Sequence, residues 1–209
     1  MMRLLKHGLF AAALSLFAVA CHASDAYSEG KNYRQVGTPQ KPTDPKRITV
    51  EEFFWYGCPH CYHIEPEVEA WLKTRGADVD FVRIPNTLGR PIGELHERAF
   101  YIADTLGILD KTHKPLFDAI HGQGFPMSTP ESIRDLYVEK AGITPAQFDG
   151  IAHSFVVDSS MRRADDLAMT YGITGTPTFV VGGKYAVDAQ DGVLKVVDFV
   201  IAKVRKERK

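Results

Sequence analysis

The feature that most constrains the fold of this chain is an apolar segment that runs directly into two closely spaced cysteines. Residues 48–56 are largely apolar, Gly57 interrupts them, and Cys58 and Cys61 follow with two residues between them. A continuous apolar segment bounded by a turn residue is typical of a strand covered on both faces, in the middle of a parallel or mixed sheet. Helical spacing of the next apolar residues predicts a helix from residue 58 to residue 74. The sequence therefore predicts a central strand that delivers a Cys-x-x-Cys pair to a helix N-terminus.

The two cysteines of this pair are predicted to differ in reactivity. Backbone N–H groups at a helix N-terminus carry partial positive charge, so a thiolate on Cys58 should be stabilised there. His60 lies between the sulfurs and would add a donor or a positive charge, and the alternative is an exposed turn residue. We expect Cys58 to be a nucleophile of low pKa at the exposed tip of the helix. Cys61 is expected to have an ordinary or raised pKa on the inward face of the helix, with Ile64, Val68 and Leu72.

A structural zinc site and a structural disulfide are the two other interpretations of the cysteine pair. Zinc takes four ligands, and only His60 and His63 lie close to the pair in sequence. A disulfide across such a short loop gains little loop-closure entropy. Redox chemistry is therefore favoured, and we expect no metal and no other cofactor. Five other histidines are interpreted as ordinary surface or core residues: His63, His96, His113, His121 and His153.

Two motifs together resemble the DsbA family of thiol–disulfide oxidoreductases. The first is Phe-Trp-Tyr-Gly-Cys-Pro-His-Cys at residues 54–61, and the second is Gly-Thr-Pro-Thr-Phe at residues 175–179. The resemblance implies a thioredoxin fold interrupted by a helical domain. It also implies that the Cys58–Cys61 disulfide is donated to reduced exported proteins through a mixed disulfide at Cys58, which Cys61 can resolve. Phe53, Phe54, Trp55 and Tyr56 are interpreted mostly as core residues. Trp55 and Tyr56, beside the turn, are also candidates for an apolar groove that receives unfolded chains.

The same resemblance assigns roles to four residues outside the cysteine pair. It implies a cis bond between Thr176 and Pro177, with Thr176 aligning an extended substrate and Pro177 shielding the disulfide; the alternative is a proline on an edge strand. It also implies a proton relay of Glu52 and Glu65, which lie at the offsets that the family uses. The alternative for Glu65 is a solvated helix residue. The family has a lysine on the next strand, where Arg83 is the candidate replacement.

The order of the predicted elements indicates an α/β fold with an all-helical insertion. Strands and a helix precede residue 93, a block of helical patterns follows, and two strands joined at Gly182-Gly183 precede a final amphipathic helix. We predict a discontinuous thioredoxin-like domain at residues 24–92 and 172–209, and a helical insertion domain at residues 93–171.

The N-terminal segment, residues 1–23, is predicted to be a secretory signal peptide. Arg3 and Lys6 precede an apolar run that ends at small residues, and cleavage after Ala23 would remove Cys21. A lipoprotein site at Cys21 is the alternative. Without the segment, 23 basic residues face 26 acidic ones, since Arg3 and Lys6 leave the total of 25, and this balance does not favour nucleic-acid binding. Export indicates an oxidising compartment, the periplasm.

The functional prediction is a monomeric periplasmic dithiol oxidase. By resemblance, its partners are unfolded or reduced exported proteins and a DsbB-like membrane quinone reductase that reoxidises it. A disulfide reductase or isomerase is the nearest alternative, although we expect no dimerisation domain before Asn32. A peptide-binding chaperone whose disulfide is incidental is the non-enzymatic alternative.

Overall fold

A five-stranded mixed sheet forms the centre of the protein. The computed structural model describes residues 26–208, so the signal-peptide prediction and Cys21 lie outside the described residues. The order in the sheet is β1-β5-β4-β2-β3, with β2 and β3 parallel and the other neighbours antiparallel. The strands are β1 (Arg34–Gln35), β2 (Ile48–Phe54), β3 (Val79–Pro85), β4 (Thr178–Val181) and β5 (Tyr185–Asp188).

The strand that leads to the cysteines is central, as predicted. β2 lies between β3 and β4, and Val50 and Phe53 on it are fully buried. The register places Glu52 of β2 beside Arg83 of β3 and Phe179 of β4. Three strands that are distant in sequence therefore meet at Glu52, directly below the start of the cysteine helix.

Helices cover the sheet and form the predicted insertion between β3 and β4. A π-helical turn, Asp118–Gly122, continues α3. The thioredoxin fold with an inserted all-helical domain is confirmed, and the division at residues 93 and 171 stays a prediction. The helices are α1 (Pro59–Leu72), α2 (Pro91–Thr105), α3 (Leu109–Phe117), α4 (Pro130–Ala141), α5 (Pro145–Ala152), α6 (Phe155–Tyr171) and α7 (Val193–Glu207).

Local sequence signals account for most helix boundaries in the insertion. Thr129 and Thr144 begin α4 and α5, and each side chain accepts a hydrogen bond from the N–H three residues later while that residue caps the threonine in return. Such capping boxes satisfy N–H groups that have no partner within the helix. Gly142 and Gly172 end α4 and α6 in the left-handed conformation, which glycine adopts without a Cβ clash. These signals are local, which is why the helical pattern was predictable.

The cysteine pair lies where the sheet meets the helical insertion. One buried cluster joins Phe54, Tyr56 and Cys61 to Phe117 of α3 and Tyr137 of α4. A second cluster lies between the sheet, α1 and α7. The active-site segment is therefore held by both parts of the fold. Within residues 26–208, no helix combines the length and apolar character that a membrane span requires.

Candidate active site

Cys58 occupies the N-cap position of α1, and Pro59 is the first helical residue. The N–H of Cys58 donates to the carbonyl of Trp55 at 2.9 Å, which closes the turn at the end of β2. The side chain is only 6% exposed, so the expectation of an exposed tip was wrong. The segment at Thr176, which is remote in sequence, covers the sulfur: the Cys58 thiol donates to the Thr176 carbonyl at 3.3 Å.

The pKa of the Cys58 thiol is lowered to about 5. The largest cause is a hydrogen bond from the side chain of Cys61, which favours the thiolate; burial acts against it. The Thr176 side chain and the backbone N–H groups of His60 and Cys61 lower the pKa further. The buried Thr176 hydroxyl has no other hydrogen-bond partner. The donors at the helix start were predicted, and His60 is one of them through its backbone N–H.

Cys61 has the opposite electrostatic environment. Its side chain is 1% exposed, and burial together with the neighbouring Cys58 raises its pKa. The charge of Glu52 also raises it. Cys61 belongs to the buried stripe of α1, which is formed by Cys61, Glu65, Val68 and Trp71; Ile64 and Leu72 are only partly buried. The predicted inward face was therefore wrong in part, because the buried Glu65 has partners that the apolar pattern does not reveal.

The Thr176–Pro177 bond is cis, as the resemblance implied. Pro177 is buried immediately before β4, and the bond lies beside Cys58 through the Thr176 contact. The Thr178 hydroxyl donates to the Gly175 carbonyl at 2.9 Å, which fixes the turn before β4. β4 pairs with β2 and β5 on its two sides, so the edge-strand interpretation of Pro177 was wrong. The two predicted motifs thus meet at one sulfur.

Below the cysteines, Arg83 lies among three carboxylates. Its guanidinium donates to Glu65 at 2.6 Å and to the more exposed Glu69 at 2.7 Å. Its Nε lies 3.5 Å from Oε2 of Glu52, and the two atoms are not hydrogen-bonded. Arg83 is therefore the cation of the carboxylate cluster, at the place where the family lysine was expected. The solvated interpretation of Glu65 was wrong, because its side chain is buried.

The two predicted relay carboxyls have opposite pKa displacements. Burial raises the pKa of Glu52 to about 8, against the opposing charge of Arg83. Burial acts on Glu65 in the same direction, but the interactions with His113 and the hydrogen bond and charge of Arg83 outweigh it, so the pKa of Glu65 is lowered. At neutral pH, Glu52 holds a proton and Glu65 is ionised. A neutral acid and a fixed ion pair lie side by side under the cysteines.

The aromatic residues before the cysteines divide between surface and core. Trp55 is partly buried, and the guanidinium of Arg90 lies 5.1 Å from the centre of its ring. Tyr56 is 1% exposed and packs against Phe117 and Phe54, so its interpretation as a core residue is confirmed and the groove alternative was wrong. His60, in contrast, is exposed, as its position in the first turn suggests.

Two histidines that the sequence interpretation passed over contact the active-site segment. His113 of α3 makes a 2.8 Å hydrogen bond with the hydroxyl of Tyr56, and its Nε2 lies 3.4 Å from Glu65. His121 donates from Nε2 to the Tyr56 carbonyl at 2.7 Å. No local signal marks either residue, because Tyr56 lies more than fifty positions away from both in sequence. Among residues 26–208, no group of three or more His, Cys, Asp or Glu side chains is arranged to hold a metal ion.

The comparisons with known proteins agree with this geometry. A family model described as a DSBA-like thioredoxin domain matches residues 49–195. The thiol:disulfide interchange protein DsbA of Pseudomonas aeruginosa is 38% identical over 200 residues, covering 93% of each chain. The DsbA of Azotobacter vinelandii is 36% identical over 213 residues, covering 98% of this chain and 99% of the relative.

Solved structures show the same likeness in three dimensions. The crystal structure of Pseudomonas aeruginosa DsbA superimposes with a TM-score of 0.80 at 36% identity, covering 88% of this chain and 97% of that one. The oxidoreductase DsbA from Xylella fastidiosa superimposes with a TM-score of 0.78 at 29% identity, covering 85% and 97%. With its Cys-x-x-Cys helix, its cis-proline and these relatives, the chain belongs to the DsbA family of thiol:disulfide interchange proteins.

Proposed function

We infer that the protein is a dithiol oxidase, which donates the Cys58–Cys61 disulfide to reduced polypeptides. The observation that carries the inference is the opposite displacement of the two thiol pKa values: that of Cys58 is lowered to about 5, and that of Cys61 is raised. A stabilised Cys58 thiolate favours the dithiol form of the protein over its disulfide. The disulfide of such a pair is readily reduced, and it therefore oxidises other thiols.

The first step is attack by a substrate thiolate on the sulfur of Cys58. Cys58 is the less buried residue of the pair, since it is 6% exposed and Cys61 is 1% exposed. The bond between the substrate sulfur and Cys58 forms as the Cys58–Cys61 bond breaks, and the electron pair remains on Cys61. Thr176, whose carbonyl lies beside Cys58, is the residue we assign to aligning an extended substrate, with Pro177 shielding the sulfurs.

The Cys61 thiolate that leaves in this step needs a proton, because burial raises its pKa. Glu52 holds a proton at neutral pH and acts electrostatically on Cys61. We assign Glu52 as the proton donor. Glu65 is assigned to positioning Arg83, which it binds, so that the guanidinium stays beside Glu52. Arginine stays protonated in proteins, so Arg83 supplies charge and does not carry the proton itself.

In the second step, another substrate thiolate attacks the substrate sulfur of the mixed disulfide. Cys58 leaves as a thiolate, which is a good leaving group because its pKa is about 5. The substrate gives up two electrons and gains a disulfide, and the protein retains the two electrons as its dithiol. His60, exposed beside Cys58, is assigned to the approach of the incoming thiol, and its backbone N–H to the stabilisation of the thiolate.

Export and reoxidation complete the proposal. The signal-like residues 1–23 support a periplasmic location, with a lipid anchor at Cys21 as the alternative. The dithiol returns to the disulfide when a membrane quinone reductase of the DsbB type accepts its two electrons. The substrates are reduced exported proteins, and the protein acts as a monomer. Separation of periplasmic and membrane fractions, followed by mass spectrometry of the mature N-terminus, tests the location.

The oxidase proposal is tested by redox equilibrium and by turnover. We expect the purified protein to be largely dithiol in glutathione buffers that leave ordinary structural disulfides intact, and its disulfide form to oxidise a reduced two-cysteine peptide stoichiometrically. Cys58→Ser is expected to abolish transfer, and Cys61→Ser to trap the mixed disulfide. A strongly reducing potential would favour the reductase alternative instead. Full activity of Cys58→Ser in cells would favour the chaperone alternative.

A further inference from the structure

Tyr56 is held by the helical insertion at two points. It lies two residues before Cys58, between the end of β2 and the start of α1. The hydroxyl contacts Nδ1 of His113 at 2.8 Å, and the backbone carbonyl accepts from His121 at 2.7 Å. Both histidines belong to α3 and the π-helical turn that continues it. The insertion therefore fixes the segment that places Cys58 at the helix start.

His113 also contacts the carboxylate cluster below the cysteines. Its Nε2 lies 3.4 Å from Oε1 of Glu65, the same oxygen that accepts from Arg83 at 2.6 Å. The side chain of His113 is 10% exposed and that of Glu65 is 9% exposed. One buried imidazole thus joins the active-site segment on one side to the ion pair of Arg83 on the other.

The two contacts select one tautomer of His113. A proton on Nε2 directs a donor at the Glu65 carboxylate, whereas a bare Nε2 would direct its lone pair at a negative charge. With Nε2 protonated, Nδ1 of the neutral ring is an acceptor, and the Tyr56 hydroxyl donates to it. Burial lowers the pKa of His113, which keeps the ring neutral at physiological pH. The contacts run from Tyr56, through its hydrogen bond with His113, to Glu65, which Nε2 of His113 approaches to 3.4 Å without forming a hydrogen bond.

Four charged or titratable groups surround His113. The charged and titratable groups that act on it are Glu65 and Glu69 of α1, Arg83 of β3 and Tyr56 before α1. Its other neighbours are the rings of Phe54, Phe100 and Phe117. Nδ1 is hydrogen-bonded to Tyr56, and the carboxylate of Glu65 is the polar neighbour of Nε2 at 3.4 Å. In such apolar surroundings, losing either neighbour would be costly.

We propose that His113 is a positioning residue for the redox pair, which sets the stability of the Cys58 thiolate by bridging Tyr56 and Glu65. Through Tyr56 it holds Cys58 against the N–H donors of the first turn of α1. His113 also interacts with the Glu65 carboxylate, which would otherwise have Arg83 as its only partner. The guanidinium can therefore stay near Glu52 instead of moving outward to Glu65 and Glu69. This inference rests on the proposed oxidase function and adds a residue from the helical insertion to it.

Two half-replacements and a full replacement separate the contacts. In His113→Asn, the amide oxygen occupies the place of Nδ1 and retains the Tyr56 contact alone. In His113→Gln, the amide nitrogen occupies the place of Nε2 and retains the Glu65 contact alone. His113→Leu removes both contacts while retaining apolar bulk. His153→Gln, at an exposed position after α5, is the matched control.

The readouts are the glutathione equilibrium constant and the ultraviolet titration of the Cys58 thiolate. Each half-replacement is expected to shift the equilibrium toward the disulfide by roughly three-fold, and His113→Leu by roughly ten-fold. Effects of this size are typical when a residue is removed from a network of contacting side chains. The pKa of Cys58 is expected to rise in parallel, and His153→Gln to match the wild type. A wild-type equilibrium constant for His113→Leu would overturn the proposal. If the equilibrium constant changed in only one of His113→Asn and His113→Gln, the claim that His113 acts through both Tyr56 and Glu65 would be overturned.

Nitrogen NMR of the imidazole tests the arrangement without relying on the folding of any variant at His113. We expect the wild-type ring to be neutral with its proton on Nε2, and Tyr56→Phe to weaken this tautomer preference. A proton on Nδ1 at neutral pH would overturn the proposal. Failure of the oxidase function itself is seen separately, because the wild-type protein would then have a reducing equilibrium constant before any variant is compared.

Discussion

The guanidinium of Arg83 lies 2.6 Å from the carboxylate of Glu65, and this ion pair is formed under the redox cysteines by two elements adjacent in sequence, α1 and β3. Its two side chains are 18% and 9% exposed, so solvent screens the pair only weakly. Glu52, 3.5 Å from the same guanidinium, stays protonated because burial outweighs the attraction of Arg83. Arg83 thus stabilises the negative charge of Glu65 while the neighbouring Glu52 stays neutral. Four predictions follow from these contacts and from the surroundings of Cys58.

Replacement of Arg83 by leucine is expected to destabilise the protein by about 3 kcal/mol, since it leaves the buried Glu65 carboxylate without its cation. Arg83→Lys retains the charge and should lose less than half as much. Urea unfolding of the oxidised protein measures both variants. Equal stability of Arg83→Leu and the wild type would mean that Glu65 is satisfied without Arg83, by His113 alone.

Glu52→Gln is expected to become more stabilising as pH rises. The folded-state pKa of Glu52, about 8, is above its unfolded value of about 4.3, so the wild type loses stability between these values as the unfolded chain releases the proton first. Glutamine does not titrate, and its advantage over the wild type should grow by on the order of 3 kcal/mol between about pH 5 and about pH 8. Unfolding of the disulfide forms, which excludes thiol titration, measures the difference. A constant difference across this range would show that Glu52 has an ordinary pKa.

The dithiol form is expected to gain stability over the disulfide form as pH rises. The folded-state pKa of Cys58, about 5, lies below its unfolded value of about 8.5, so its contribution is fully present above the unfolded value and is lost as pH falls through 5. The gain should be on the order of 3 kcal/mol between about pH 5 and about pH 8. Parallel unfolding of the reduced and oxidised proteins measures it, with Cys58→Ser in its reduced form as the control that removes the effect. Parallel pH profiles of the two wild-type forms would contradict a stabilised thiolate.

Thr176→Val is expected to raise the pKa of Cys58 by about one unit, the effect of one hydrogen bond to a charged group. Valine retains the shape of threonine but lacks the hydroxyl that donates to the thiolate, while the carbonyl of residue 176 is unchanged. The pH dependence of alkylation at Cys58 measures the pKa. Thr170→Val, at a partly buried threonine in α6, is the matched control. An unchanged alkylation profile in Thr176→Val would exclude the hydroxyl from thiolate stabilisation.

Much of the fold was predictable because its signals are local. The apolar strand before Cys58 and the turn at Gly182 each depend on neighbours a few positions away, and both were confirmed. The capping box at Thr144 is a signal of the same local kind. The chemistry of the pair was predictable in kind, since a helix N-terminus stabilises a thiolate wherever it occurs. The degree of burial was not, because Cys58 is covered by Thr176, 118 positions later.

The sequence by itself determined the order of the elements, the thiolate-stabilising place of Cys58 and the apolar run that makes β2 a central strand. These depend on hydrogen bonds and spacing within a few residues. Only the tertiary structure decided that Arg83 is the cation of the carboxylate cluster and that His113 contacts both Tyr56 and Glu65. The register of β2 with β3 and the packing of α3 bring these residues together. A pattern along the chain shows which residues can be buried, whereas the partners of a buried charge depend on which distant elements pack beside it.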